Sequence, residues 1–412
     1  MTNNIINNKY IKVIQTRKYK NINLYLRFSI ENKPLMKEKV CLLCKMIGDV
    51  SKKYPTKQEM ARVKDMLYGV VCDPTYKFRA NIITMSLRFS FINPKFIDNT
   101  IDEYNDYIKE VLYNSIINEE TLSEAKRTIK AAILRRIDKP TSLASERIIN
   151  IIGQDNPNFL IHSLDKKFIS NLNKIDLDDI LQTYKSIINN AQLNIYLCGD
   201  LNDRDINKLT TYSFANRRDV QLVSKKCLYS KRRNVTDIKD ISQSYLSIIY
   251  STPFNKNHKD YFAWFIGNAY FGVLPTSLLF SQVREKMSLC YSITSIDYKY
   301  EGLVRVTTSI DGKNKDKVID AINTQFNRMV KGDFKESDLQ TAKFLMCNTI
   351  IGIYDDLDAL VNYYYESQLS NFNYSIEEYC ENIMKVTTKD VCRVFSKYKP
   401  YFTYLLLGTK NA

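Results

Sequence analysis

Histidine is almost absent: the 412 residues include only His162 and His258. The two are far apart and share no motif, so a His-based zinc site cannot be assembled from this chain; each reads as a surface group or as a partner in a local hydrogen bond. Glycine is sparse too, at 11 residues. No G-x-G-x-x-G or Walker pattern occurs, so nucleotide binding has no support. No run of about 18 apolar residues is present to span a membrane. The opening MTNNIINNKY is polar, unlike the charged tip and apolar core of a secretory signal. Tryptophan occurs once, as Trp264 in the aromatic stretch YFAWFIGNAYFG, and reads as a core residue.

What is present suits a globular protein of two or more domains, with 44% apolar residues. Nine cysteines, an odd number, are scattered mostly through apolar runs. That usage fits reduced thiols in a reducing compartment, and the expected location is cytoplasmic. Sixty Lys and Arg against forty-five Asp and Glu give a net charge of +15, which favours acidic partners in general. The charge is spread. Its densest clusters, Lys225-Lys226 and Lys231-Arg232-Arg233, fall in a polar stretch and read as a solvated connector, not a nucleic-acid groove.

The chain repeats its pattern at a spacing of roughly 210–220 residues. NLYLRFSI (residues 23–30) is answered by SYLSIIYS (244–251), and ETLSEAK (120–126) by SDLQTAK (337–343), each of the latter pair an acidic helix start. KIDLDDI (174–180) and KVTTKDV (385–391) each place a polar cap before a helix, and NIYLCGD (194–200) and TYLLLGT (403–409) close the halves as apolar strands. With ITMSLRFSF (83–91) and LVRVTTSI (303–310) alternating as strands, the expected fold is α+β: two tandem homologous domains, each an antiparallel-rich sheet covered by helices. The expected division is 1–215, a connector at 216–240, and 241–412.

KVCLLCKMIG (residues 39–48) puts Cys41 and Cys44 three apart. A metal site would need two further ligands, which no second C-x-x-C or Cys/His cluster supplies. Redox chemistry fits poorly, because apolar surroundings raise a thiol's pKa. Inert core packing is the expected role.

Residues 272–295, GVLPTSLLFSQVREKMSLCYSITS, resemble the C-terminal-domain motif of the insulinase/pitrilysin zinc metallopeptidases at Gly272, Ser277, Leu279, Phe280, Val283, Arg284, Glu285, Leu289 and Tyr291. NVTDIKDISQSYLSIIYSTP, KKYPTKQEMARVKDMLYGVVCD and NIYLCGDL are similar to a bacterial subgroup of that family lacking the zinc signature. The resemblance implies a pair of α/β domains forming half of a clamshell. It also implies that Arg284 and Tyr291 contact a peptide substrate. The family's H-x-x-E-H binds zinc through its two His and activates water through its Glu. On this alignment the three positions are Cys41, Cys44 and Lys45, and the distal Glu-Glu pair becomes, approximately, Ala131-Ala132. A lysine ammonium has no lone pair for zinc, and a thiol does not serve water as a carboxylate does.

The expectation is therefore a subunit with no catalytic residues and no cofactor of its own. It would pair with a sister subunit carrying H-x-x-E-H and zinc, form one wall of the chamber, and help position peptides such as leader or bacteriocin precursors. A structural or assembly subunit without peptide contact is the alternative. An autonomous Cys-based metalloenzyme is a third reading, which only stoichiometric zinc in the isolated chain would support.

Overall fold

The computed structural model describes residues 5–7, 9–156, 164–212, 218–224 and 233–409. His162, Lys225, Lys226, Lys231 and Arg232 lie outside them. Two compact units result: Met1–Arg136 with Leu164–Leu222, and Ile137–Ser163 with Val223–Ala412.

The first unit holds strands β1 (Ile5–Asn7), β2 (Ile11–Gln15), β3 (Asn21–Glu31), β4 (Val71–Arg79), β5 (Ile82–Ile92) and β6 (Gln192–Gly199), in the order β1-β2-β6-β3-β5-β4. Only the β2–β6 pairing is parallel. Strands β3, β5 and β6 are apolar at most positions and buried on both faces along most of their length, as central strands require. β4 alternates exposed and half-buried positions, the mark of an edge strand with one wet face.

The second unit repeats this plan. Strands β7 (Arg233–Lys239), β8 (Ser244–Ser251), β9 (Ser292–Tyr298), β10 (Leu303–Ile310) and β11 (Lys399–Gly408) run β7-β11-β8-β10-β9, again with one parallel pair, β7–β11. Position for position, β7, β8, β9, β10 and β11 match β2, β3, β4, β5 and β6. The polar caps read from the sequence are capping boxes: Asp176 with Asp179 opens Leu177–Asn190, and Thr387 with Asp390 opens Thr388–Phe395. The fold is α+β, as expected.

Two features depart from the sequence reading. The polar stretch between the halves contains regular structure: just ahead of the expected connector DRDINKL forms the helix Asp203–Leu209, capped by Asn202 and burying Ile206 and Leu209, and within the connector residues 233–239 form edge strand β7. Their polar composition reflects exposure, since an edge strand and a short surface helix each bury little side-chain area. The division is also not a single cut. Helix Pro140–Asp155 belongs to the second unit, where Ala144, Ile148, Ile151 and Ile152 pack with Ile249, Leu303, Tyr401 and Phe402. Arg305 donates to Ser145 Oγ at 3.0 Å, Arg147 Nε meets Asp237 at 3.0 Å, and Asn156 donates to the Tyr401 hydroxyl at 2.9 Å. Amphipathic spacing marks this segment as a helix but does not say which sheet receives its apolar stripe.

Trp264 is 0% exposed in the second unit and reports that unit's unfolding. Ile152→Ala should cost about 2–5 kcal/mol and lower the denaturant midpoint of the Trp264 fluorescence transition. An unmoved transition would place the helix outside the second unit's core.

Candidate functional site

Helix Met36–Met46 follows β3 and packs against β4 and against helix Leu177–Asn190. Lys39 pairs with Asp179 at 2.5 Å, and the buried Glu38 accepts from Asn171 at 2.8 Å, which fixes the helix to the layer beside it. Cys41 and Cys44 lie on its inner face, buried, and Lys45 on its outer face, exposed. The Cys41 thiol donates to the Tyr76 hydroxyl at 3.3 Å, and the Cys44 thiol to the Thr75 carbonyl at 3.5 Å. Burial raises the pKa of both thiols above the ordinary range; for Cys41 the Tyr76 hydrogen bond opposes this, and for Cys44 the nearby Cys41 adds to it. They are protonated packing groups that face a strand.

Zinc does not fit these donors. It needs thiolates or neutral imidazoles converging on one point. Here two neutral thiols point into the sheet and an ammonium points away. Ala131 and Ala132, on helix Glu119–Ile137, are exposed and carry no ligand atom. Among the described residues no group of three or more His, Cys, Asp or Glu could hold a metal ion. A separate cleft of about 310 Å³ in this unit is lined by Met36, Glu31 and Arg218 and includes none of the three positions.

The second unit's motif occupies the equivalent interval, between β8 and β9. Gly272 lies in a widened helical turn, Ala269–Val273, so close to β9 that a Cβ there would meet Ser295 Cβ at 2.6 Å and Leu279 Cδ1 at 2.9 Å. Ser277, fully buried, accepts from the Phe280 N–H at 3.4 Å as the next helical segment, Leu279–Lys286, begins. Leu279 and Val283 bury one face of that segment, which leaves Arg284 half-buried beside it. The guanidinium of Arg284 stacks on Phe280, one turn earlier, at 4.4 Å from the ring centroid. Its Nε donates to the main-chain carbonyl of Tyr291 at 3.1 Å. Tyr291 in turn donates its N–H to the Ser309 carbonyl at 3.0 Å, and the residue is 62% exposed.

The structure thus brings Arg284 and Tyr291 together in one cleft of about 530 Å³, which also includes Glu285, Asp311 and Lys313. Lys313 bonds Asp311 at 2.9 Å; that bond raises the lysine's pKa, with a smaller contribution from the Tyr291 phenol, and lowers the pKa of Asp311. Sequence reasoning missed Tyr76, Asp311 and Lys313 as neighbours, because each is brought in by a strand or turn distant along the chain. Phe280 was within reach, lying four residues before Arg284 on one helical face. His258 makes a local contact, accepting from the Asp260 N–H at 3.0 Å.

Fold and site together define a twice-repeated α+β chain in which, among the described residues, no group of three or more His, Cys, Asp or Glu could hold a metal ion. Residues 174–346 match the family described as "Peptidase M16 inactive domain". The chain is 27% identical over 416 residues to the "Probable inactive metalloprotease YmfF" of Bacillus subtilis (strain 168), covering 97% of this chain and 96% of that protein. It is also similar to a conserved protein from Enterococcus faecalis V583 (TM-score 0.88, 23% identity, 98% and 97% of the two chains) and to a protease from Helicobacter pylori (TM-score 0.80, 15% identity, 98% of each), both solved as crystal structures. In sequence the chain is thus similar to inactive members of the M16 peptidase family over residues 174–346, and to one such relative over nearly its whole length.

At about pH 8.5, where an ordinary cysteine is half ionised, iodoacetamide should leave Cys41 and Cys44 unmodified in the folded chain and label both after denaturation, as read by peptide mass spectrometry. Rapid labelling of either in the folded state would contradict the protonated, strand-facing assignment. Gly272→Ala, which forces a methyl against Ser295 and Leu279, should cost about 1–3 kcal/mol, measured by thermal melting of the Trp264 signal.

Proposed function

We propose that the chain is the non-catalytic subunit of a heterodimeric zinc peptidase, forming one wall of the chamber and helping to hold a peptide against a sister subunit that carries H-x-x-E-H and the zinc. The observation that carries this reading is the contrast between the repeats: the first has buried neutral thiols where metal ligands would be, while the second keeps an exposed tyrosine beside a braced arginine in an open cleft. An arginine fork and a phenol suit the carbonyls or carboxylate of a bound peptide. Their contribution is positioning, and the bond chemistry belongs to the partner. Leader peptides and bacteriocin precursors are the proposed substrates. No helix among the described residues is long and apolar enough to cross a membrane.

One observation favours a second reading, a structural subunit without peptide contact: Arg284 Nε is already committed to the main chain of Tyr291. Tyr291→Phe separates the two, because it keeps the main-chain carbonyl and removes only the phenol oxygen. Co-expressed with its sister subunit, the wild-type chain should enable peptide cleavage that neither subunit performs alone. Both Arg284→Ala and Tyr291→Phe should cost about 1–3 kcal/mol of transition-state stabilisation, read as kcat/KM of the pair. If the tyrosine variant turns over at the full rate and the arginine variant loses activity only with its melting temperature, the structural reading holds.

A further inference from the structure

Helices Glu336–Ile351 and Ile376–Met384 pack against each other in the second unit, and each turns a cysteine towards its neighbour. Cys347 Sγ lies 3.7 Å from the Cys380 carbonyl oxygen, and Cys380 Sγ lies 3.8 Å from the Cys347 carbonyl oxygen. The two thiols also hydrogen-bond each other. Neither is in a disulfide. Cys347 is buried, whereas Cys380 is half-buried, so a small reagent reaches the pair through Cys380.

Sequence spacing points elsewhere. Cys41 and Cys44 have the separation of a redox motif, yet their thiols are spent on Tyr76 and Thr75. Cys347 and Cys380 meet only because their helices pack, and each sulfur touches the other residue's main chain. A disulfide forms without backbone movement only between cysteines whose main chains are already close and whose sulfurs face each other. Burial raises the pKa of both thiols: Cys380 is pushed up to about 12, with the Cys347 hydrogen bond adding to burial, while for Cys347 the bond to Cys380 opposes it. When one sulfur ionises, the remaining S–H serves as its donor, so the first thiolate belongs to the pair. Ile350, one turn after Cys347, and Tyr379, adjoining Cys380, both line a cavity of about 300 Å³. A bond between the sulfurs would therefore tie two walls of that cavity together.

We propose that Cys347 and Cys380 form a reversible dithiol–disulfide site, oxidised by a small disulfide of the glutathione class. A thiolate of the pair attacks one sulfur of the small disulfide, whose S–S bond breaks; the departing thiolate takes up the proton that the cysteine released. The second cysteine then loses its proton and attacks the mixed disulfide, forming the Cys347–Cys380 bond and expelling the other small thiol with that proton. Two protein thiols are oxidised to one disulfide, and one small disulfide is reduced to two thiols. Excess small thiol runs the same steps backwards, as suits a chain whose cysteine usage fits a reducing compartment, where such bonds are transient. The site is independent of the substrate role of Arg284 and Tyr291, and its test needs no sister subunit.

The purified, reduced full chain is incubated with oxidised glutathione, quenched with acid, and alkylated, and its peptides are read by mass spectrometry, with Trp264 emission confirming that the chain stays folded. The expected product is a Cys347–Cys380 linked peptide, two hydrogens lighter than its parts, which excess reduced glutathione returns to the dithiol. Phenylarsine oxide, which bridges two neighbouring thiols, should bind the folded wild-type chain and bind Cys380→Ser about 100-fold or more weakly, since one of its two anchors is gone. Three results overturn the proposal: a folded chain that keeps both thiols reduced in oxidised glutathione, a glutathione adduct on either cysteine that never resolves to the linked peptide, or equal binding of the arsenical by wild type and Cys380→Ser. The first two are read on the wild-type chain, so they decide the matter even if the variant fails to fold.

Discussion

Each sheet depends on one pairing that the chain makes last. The opening strand of either repeat, β2 or β7, runs parallel to the closing strand, β6 or β11, and the closing strand inserts between it and the hairpin-linked strands. Parallel neighbours cannot be joined by a tight turn. Most helices of a repeat therefore lie between its first and last strands, and the sheet is complete only when the chain returns. Everything that positions a site follows from this: helix Met36–Met46 and the 272–295 segment both leave the strand next to the closing strand and come back along the sheet edge, at β4 and β9 respectively.

The same place in two copies of one design has gone two ways. In the first repeat, the thiols of Cys41 and Cys44 satisfy themselves on β4, and burial keeps them protonated. In the second, an arginine spends one N–H on the main chain and stacks on a ring, a costly way to hold a side chain unless its exposed neighbours are useful.

Much of this was legible from residue order. Strands β8 and β10 begin and end at the residues the apolar patterns marked, because strands buried on both faces leave no ambiguity. β7 was hidden, since a solvent-facing edge strand rich in charge looks like connector. The packing role of Cys41 and Cys44 was legible from their apolar neighbours, and both thiols are buried. The family resemblance suggested a partnership of Arg284 and Tyr291, but a sequence cannot say that the guanidinium takes the tyrosine's carbonyl. Nor does it show which thiols meet, because Cys347 and Cys380 converge from two separate helices.

Helix Pro140–Asp155 has a temporal consequence. A ribosome delivers it long before β8, β10 and β11, yet its greasy stripe has no other home than the pocket those strands build. During translation that stripe must wait while about 250 further residues emerge. Gene fragments ending near position 215 would leave it stranded permanently, which makes the nascent half-chain a natural client for chaperones and a poor candidate for independent expression.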